Sequence, residues 1–449
     1  MAALGLSFVV FGLCQESGVE KRLQRDHNPP QETMRQLVEA VAPARMGTGF
    51  RWLLSAEWFN NLGDGMALAA GPLLIASQTR NPTLVALATI MQRAPWFLFG
   101  LYAGWIADRF DRRLMVAIAD AFRGVVLVGL AAVIATGEVN VPLVLVAMFL
   151  LGTAETFADT AAGTLMPMLV TPRDLGVANA RVSFGRRALN ELVGPPLGAA
   201  LFIGGLAVPF MVQAVMVRVG AVLVSRIAVG VPADLEVSRG IRTDVREGVL
   251  WLWRNPPVRT LTLTIVLFNL TFGAMWPMLV LYSDERLGLG EFGFGLLLSA
   301  SAVGGVLGAM SYGWLEQRIA LGTLMRSALL YETCMHLGLG LSTVPVISMA
   351  MLFGFGFQTS IWGTTATAVR QRAVPENFQG RVGSAYMVAL FGALVVGGTV
   401  GAAVAGIWGV LAPFWFGFVG SALSLAIIWR QLPKVAHADA QIVAASTDG

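Results

Sequence analysis

Long apolar runs broken by short polar joins set the character of this chain. A bilayer-spanning helix needs about 20 mostly apolar residues, and twelve runs meet that need, at about 50–78, 82–107, 114–136, 141–168, 177–203, 206–228, 260–283, 292–314, 321–342, 344–370, 381–406 and 408–430. Turn residues mark the joins: Asn81-Pro82, Asn140-Val141-Pro142, Gly204-Gly205 and Val344-Pro345. Only 229–259 is a long connection. The pattern predicts an all-α membrane protein of twelve transmembrane helices in two six-helix halves. The expected divisions are a disordered or mis-assigned extension over 1–47, with Met46 a candidate start, a first half over 48–228, and a cytoplasmic linker over 229–259. A second half over 260–432 and a cytoplasmic tail over 433–449 complete the chain.

Within the linker, Val245, Val249, Leu252 and Trp253 recur at helical spacing in Thr243–Arg254. This predicts an amphipathic helix lying at the membrane surface with its tryptophans in the headgroup layer. Arginine orients the whole. With a cytoplasmic N-terminus, the outward joins carry Arg80 and Arg286 and almost no other basic charge. The inward joins carry Arg109, Arg112, Arg113, Arg173, Arg239, Arg242, Arg246, Arg254, Arg259, Arg318, Arg370 and Arg372. Positive charge stays on the cytoplasmic side, so both termini are expected inside, in the inner (plasma) membrane.

Composition narrows the classes. Hydrophobic residues make up 56% and charged residues 13% of 449 positions, against about half and a quarter in a soluble domain. That is too little charge to coat soluble surfaces, and lipid is the natural solvent for the excess. The net charge of +4 does not point to nucleic acid, because the basic residues sit between apolar runs rather than on one face. Cys14 and Cys334 are far apart and His27, His336 and His437 are scattered, so neither a disulfide framework nor a metal site is expected. An enzyme would need His, Cys or Ser-His-Asp groups clustered at one depth, and a non-transporting sensor an added soluble domain. No GxxxxGK[ST] run occurs, which argues against direct ATP drive.

The halves repeat one another. Gly104-Trp105-Ile106-Ala107-Asp108-Arg109 closes the second span and Gly313-Trp314-Leu315-Glu316-Gln317-Arg318 the eighth. Gly100xxxGly104 answers to Gly304xxxGly308, Gly194xxxGly198 to Gly397xxxGly401, and Val170-Thr171-Pro172 to Ala373-Val374-Pro375, all at offsets of 203 to 209 residues. Each GxxxG is expected to let two backbones approach closely in lipid. Two parallel six-helix halves predict a substrate cavity at their interface, opened alternately by rocking.

These residues resemble a known pattern. Gly104 through Arg113 is similar to the loop between helices 2 and 3 of the major facilitator superfamily, departing from it at Asp111, where glycine is usual. The resemblance covers roughly 48–432. It implies that Asp108 caps the start of the eleventh span and that Arg109, Arg112 and Arg113 lock the cytoplasmic gate; a carboxylate at a helix N-terminus is favoured by the macrodipole. Gly194-Pro195-Pro196-Leu197-Gly198 resembles, in part, the antiporter motif of the drug–proton branch. Asn60-Asn61-Leu62-Gly63-Asp64 and Glu247 through Arg254 resemble the macrolide-efflux and siderophore-exporter branch, which favours export over uptake.

Ionisable residues at membrane depth are costly and usually functional. Asp64 and Arg93 lie at similar depth in neighbouring spans, a candidate pair. Glu155 and Asp159 share one face of the fourth span, Arg187 and Glu191 one face of the fifth, and Asp120 and Arg123 one face of the third. Asp64 or the Glu155/Asp159 pair is the expected proton carrier, since carboxylates crowded at depth can load and release protons. Glu191 is read as a structural ion pair. Beyond the fifth span, Glu332 is the main exception to an uncharged interior. Trp58, Asn61, Gln92, Trp96, Asn269, Trp276, Gln358 and Trp362 are candidates for the cavity wall, a mixture suited to a bulky amphipathic compound. The expectation is therefore a monomeric, proton-coupled exporter of hydrophobic or amphipathic small molecules, without cofactor, drawing on the proton gradient. Siderophore export and lysolipid flipping are the alternatives.

Overall fold

The computed structural model describes residues 43–107, 109–171, 174–228, 241–375 and 378–432. The extension before residue 43, Asp108, Arg173, Arg239 and the tail after 432 lie outside the described residues, and with them the expectations placed there.

Thirteen helices form among the described residues. The first half comprises α1 (Gly47–Gln78), α2 (Pro82–Ala107), α3 (Arg112–Thr136), α4 (Val141–Leu169), α5 and α6 (Val208–Ser225), α5 being a continuous rod of Leu175–Gly185, a π-helical stretch Arg186–Val193, and Gly194–Gly204. The linker carries α7 (Ile241–Arg254). The second half comprises α8 (Pro256–Arg286), α9 (Gly290–Arg318), α10 (Leu321–Leu341), α11 (Pro345–Ala373), α12 (Gln379–Trp408) and α13 (Ala412–Ile428). The twelve spans read from hydropathy match these helices to within four residues at either end. Local chemistry explains the ends. Asn140 caps α4 by accepting from Leu143 N at 3.1 Å, and prolines occupy the first turns of α4, α6, α8, α11 and α13.

Eight of these helices are long and apolar enough to cross a membrane by length and composition alone. Of the other four outside the linker helix α7, α13 has 17 residues. The remaining three, α1, α5 and α10, carry ionisable side chains inside their length: Glu57 and Asp64, Arg186 to Glu191, and Arg326 with Glu332.

Packing repeats between the halves. The pairs α1·α5, α2·α4, α3·α6, α1·α6 and α3·α4 recur as α8·α12, α9·α11, α10·α13, α8·α13 and α10·α11. Glycine sets the closest of these. A methyl group on Gly198 would lie 2.3 Å from Met66 O, one on Gly401 2.1 Å from Ala274 O, and one on Gly308 2.4 Å from Phe357 O, so these backbones touch as small-residue motifs allow. Gly100 and Gly104 depart from the expectation: a methyl on either meets nothing within 4 Å. The close α2·α4 approach is made instead by Gly152 against the Gln92 carbonyl. The repeat also shows in side chains, since Arg109 stacks over Trp105 at 4.1 Å and Arg318 over Trp314 at 4.3 Å.

The halves meet along α2·α12 and α5·α9. At one end a single apolar core joins them, including Leu74 and Ile75 of α1, Val85 of α2, Met278 and Leu281 of α8, Leu297 of α9 and Ala405 of α12. At the arginine-rich end there are two cores. One belongs to the first half, around Phe50, Leu53, Val116 and Leu223; the other to the second, around Leu261, Met325, Val382 and Leu425. The molecule is thus closed at one end and split at the other.

The linker helix α7 rests on α12. Gly248 lies against the Arg381 carbonyl, Glu247 pairs with Arg381 at 2.7 Å, and Trp251 stacks on Phe378 at 6.0 Å. Leu252 is buried against protein, whereas Val249 and Trp253 are exposed, open to a membrane surface. The face turned inward runs through Gly248, Trp251 and Leu252, because α12 covers that side.

Candidate functional site

The first half holds a buried charged network. Asn60 and Asp64 lie one turn apart on α1, Asp120 and Arg123 one turn apart on α3, and Gln213 faces them from α6. Arg123 is bracketed by two carboxylates: it pairs with Asp64, and with Asp120 at 3.2 Å. Asn60 Nδ2 donates to Asp120 Oδ2 at 2.9 Å and Gln213 Nε2 to Asp64 Oδ1 at 3.1 Å. Each charge is paired, as such burial requires, while Arg123 Nε, Asn60 Oδ1 and Gln213 Oε1 are enclosed without a hydrogen-bond partner. Glycines make the network possible. A methyl on Gly220 would lie 2.3 Å from Asn60 Oδ1, and one on Gly63 3.1 Å from the Gln213 side chain.

The expected Asp64–Arg93 pair does not form, because the Asp64 face of α1 turns toward α3 and α6 rather than α2. Arg93 instead feels Glu155, Arg186 and Glu191. Around the network stands a second ring of acids. Glu57, Glu155 and Asp159 interact through space with Asp64 and Arg123. Glu57 and Glu155 are half-buried and Asp159 is exposed, unlike Asp120, whose side chain is fully enclosed. The structure therefore brings Asp64, Glu155, Asp159 and Arg93 into one electrostatic compartment, with Glu57 as a member that the sequence reading missed. Its signal was available: it precedes Asp64 by seven residues, two turns of the same helix face. Gln213 could have been found as a lone amide in an apolar helix.

On α5, Arg187 and Glu191 share a face, but Arg187 reaches into the other half. Its Nη1 donates to Ser360 Oγ at 2.7 Å and Gly305 O at 3.3 Å, and Ser360 Oγ donates to the same carbonyl at 2.7 Å. The π-helical stretch here follows from Pro195 and Pro196, which cannot donate to the carbonyls a turn earlier. Ser299 of α9 donates to the freed Leu192 carbonyl at 2.9 Å. Gly194, Pro195 and Gly198 are buried, Gly194 against Gly65 and Gly198 against Met66, one turn or less from Asp64.

The loop between α2 and α3 lies at the split end. Asp111, standing where the family pattern has glycine, caps α3 by accepting from Arg113 N at 2.9 Å and Leu114 N at 3.2 Å. Arg112 donates to Ala107 O at 3.0 Å and Arg113 to Ile227 O at 3.0 Å. Together with the Arg109–Trp105 stack, these contacts brace the loop against its own half.

The aromatic candidates divide. Trp96 stacks on Phe391 at 5.4 Å across the α2·α12 seam. Trp276 meets Phe272 at 4.9 Å and Phe355 at 6.2 Å. Trp58 lies 6.4 Å from Phe184 beside Gly185. Trp362 is buried in the second half's own core, and Gln358 is buried between helices. Gln92 contacts Met148 Sδ at 3.2 Å. Asn61 and Asn269 each donate to a carbonyl one turn back on their own helix, at 2.7 and 2.8 Å.

The comparisons with known proteins agree with this architecture. The Major Facilitator Superfamily model matches residues 53–397. The multidrug efflux pump Tap of Mycolicibacterium fortuitum is 22% identical over 355 residues, 74% of this chain and 82% of that protein. The enterobactin exporter EntS of Shigella boydii is 23% identical over 363 residues, 80% and 84% of the two chains. BacE of Bacillus amyloliquefaciens, named for bacilysin export, is 28% identical over 264 residues, so the match spans 58% of this chain and 64% of that relative's length. Among solved structures, the nucleoside transporter NupG aligns with a TM-score of 0.72 at 10% identity over 86% of this chain and 99% of its own. A bacterial homologue of the iron transporter ferroportin, in its inward-facing state, aligns at 0.69 with 15% identity over 86% and 98%. At such identities the structural likeness speaks for the fold alone. The two repeated halves, the loop motif and a family match over most of the length agree: this chain belongs to the Major Facilitator Superfamily, a family of multi-pass membrane transporters.

Proposed function

We propose that this transporter is a proton-coupled exporter of hydrophobic or amphipathic small molecules, seated in the inner membrane with both termini cytoplasmic. The observation that carries the coupling is the acidic compartment of the first half. Glu57, Glu155 and Asp159 stand beside the Asp64–Arg123–Asp120 network, inside helices α1 and α4. Protonation of Asp64 removes one of the two anions holding Arg123 and loosens the tie between α1 and α3. That is a means for a proton to bias the rocking of one half against the other. With the arginine-rich end cytoplasmic, the split end opens inward and the joined core closes the outer side. The stacked aromatics at Trp96 and Trp276 suit an apolar or aromatic substrate. The likeness to Tap and EntS supports export.

The test is transport in inverted vesicles against a compound panel that includes a siderophore, with and without a protonophore. Export driven by a pH gradient is expected in the native chain and its loss in Asp64→Asn and Glu155→Gln. Full pH-driven transport in both variants would overturn the assignment of the carrier.

A further inference from the structure

The second half contains a buried titratable group that the mechanism above does not use. Glu332 and His336 stand one turn apart on α10 and are 8% and 0% exposed. Gln358 of α11 is 5% exposed, and its Nε2 donates to Thr359 Oγ1 at 3.2 Å. From α13, Gly417 makes room for the imidazole: a methyl there would lie 2.5 Å from His336 Nδ1. Both ring nitrogens of His336 and Oε1 of Gln358 are enclosed without a hydrogen-bond partner.

The surroundings cannot meet these needs. Thr333, Thr271, Ser421 and Ser424 each donate to a carbonyl of their own helix, at 3.0, 2.9, 3.2 and 2.7 Å. Tyr331 OH donates to Met351 O at 3.1 Å. No charged residue occurs in α13, and those of α11, Arg370 and Arg372, lie in its last turn. On α10 itself Arg326 donates to Trp429 O at 2.9 Å and Cys334 is exposed.

The repeat sharpens the contrast. Glu332 follows Arg123 by 209 residues, the offset that separates Trp105 from Trp314. Where the first half buries an arginine between two acids, the second buries an acid with no arginine beside it. An unpaired charge in an apolar interior is costly, and the carboxyl–imidazole pair is neutral only when it holds one proton.

We propose that Glu332 and His336, one turn apart on the same buried face of α10, form a second proton-binding site, in the second half, which holds one proton on either the carboxyl or the imidazole. It deepens the proton-coupled reading and rests on it for its role in transport, but its occupancy is testable without any substrate. The experiment is infrared difference spectroscopy of the full chain reconstituted in lipid and stepped across neutral pH. The native protein is expected to show a protonated-carboxyl band that titrates, is absent from Glu332→Gln, keeps its place in Asp64→Asn, and shifts its midpoint at least tenfold in proton concentration in His336→Gln. Isotope-labelled histidine in the unmutated chain gives an independent readout should His336→Gln fail to fold: the His336 resonance is expected to move within the same pH step. A Glu332→Gln spectrum identical to the native one, or a His336 resonance that stays fixed while the carboxyl titrates, would overturn the proposal. Loss of pH-driven transport altogether with the Glu332 band intact would instead remove the coupling reading and leave the site.

Discussion

Arg123 decides more than any other side chain in the first half. Its guanidinium satisfies two buried carboxylates on different helices, so its removal leaves both without a counter-charge. Breaking a buried pair by removing one partner costs about 3–5 kcal/mol. Arg123→Leu is therefore expected to lower the melting temperature of the purified transporter strongly, and Asp64→Asn in the same chain to recover part of the loss. Melting curves in detergent decide this; no recovery in the double variant would mean that the charges do not share one network. Two glycines give a sharper contrast. Gly198→Val drives a side chain into the α1 backbone, an overpacking worth about 1–3 kcal/mol, whereas Gly104→Ala meets open space and should leave the melting temperature unchanged.

The helices divide the labour. Those that are apolar throughout build the frame, while α1, α3, α4 and α5 bring ionisable groups to one depth. The linker helix α7 behaves differently from an isolated surface anchor, since it is packed on α12. Its Glu247–Arg381 pair is about one third exposed, 38% and 31%, and exposed pairs contribute roughly 0–1 kcal/mol. Glu247→Ala is accordingly expected to change stability little. Trp251→Ala, which removes the stack on Phe378, should cost more, and the same melting experiment ranks the two. The reverse ranking would show that the salt bridge holds α7 in place.

Across the whole molecule, the closed end, outward in the proposed orientation, joins the halves by an apolar core and by polar contacts at its rim. Arg80 of the first outward join pairs with Asp284 at the end of α8, which raises the Arg80 pKa above its ordinary value. Thr83 Oγ1 donates to Ala402 O at 3.2 Å. Arg80→Ala is expected to favour outward opening. A cysteine placed at Thr83, in a chain with Cys14 and Cys334 replaced, should then react faster with a membrane-impermeant maleimide added outside. High salt should have the same effect in the unmutated chain, because this exposed pair is screened. Labelling rates unchanged by both would show that the apolar core alone holds the outer end shut.

The number, length and order of the helices and the internal repeat were legible in the sequence, because lipid demands long apolar runs and helices satisfy their own backbone. So were most members of the charged site, since ionisable residues in such runs stand out. Partner choice was not. Asp64 is as deep as Arg93 along the chain, yet the rotation of α1 about its axis gives it to Arg123 on α3, and that rotation is fixed by glycines pressing α5 and α6 against it. Nor could the sequence tell that Gly100 and Gly104 face open space, that Arg187 bridges the halves, or that His336 is enclosed with both nitrogens unpartnered. Each depends on how one helix is turned toward another, and periodicity along a helix names a face without naming what covers it.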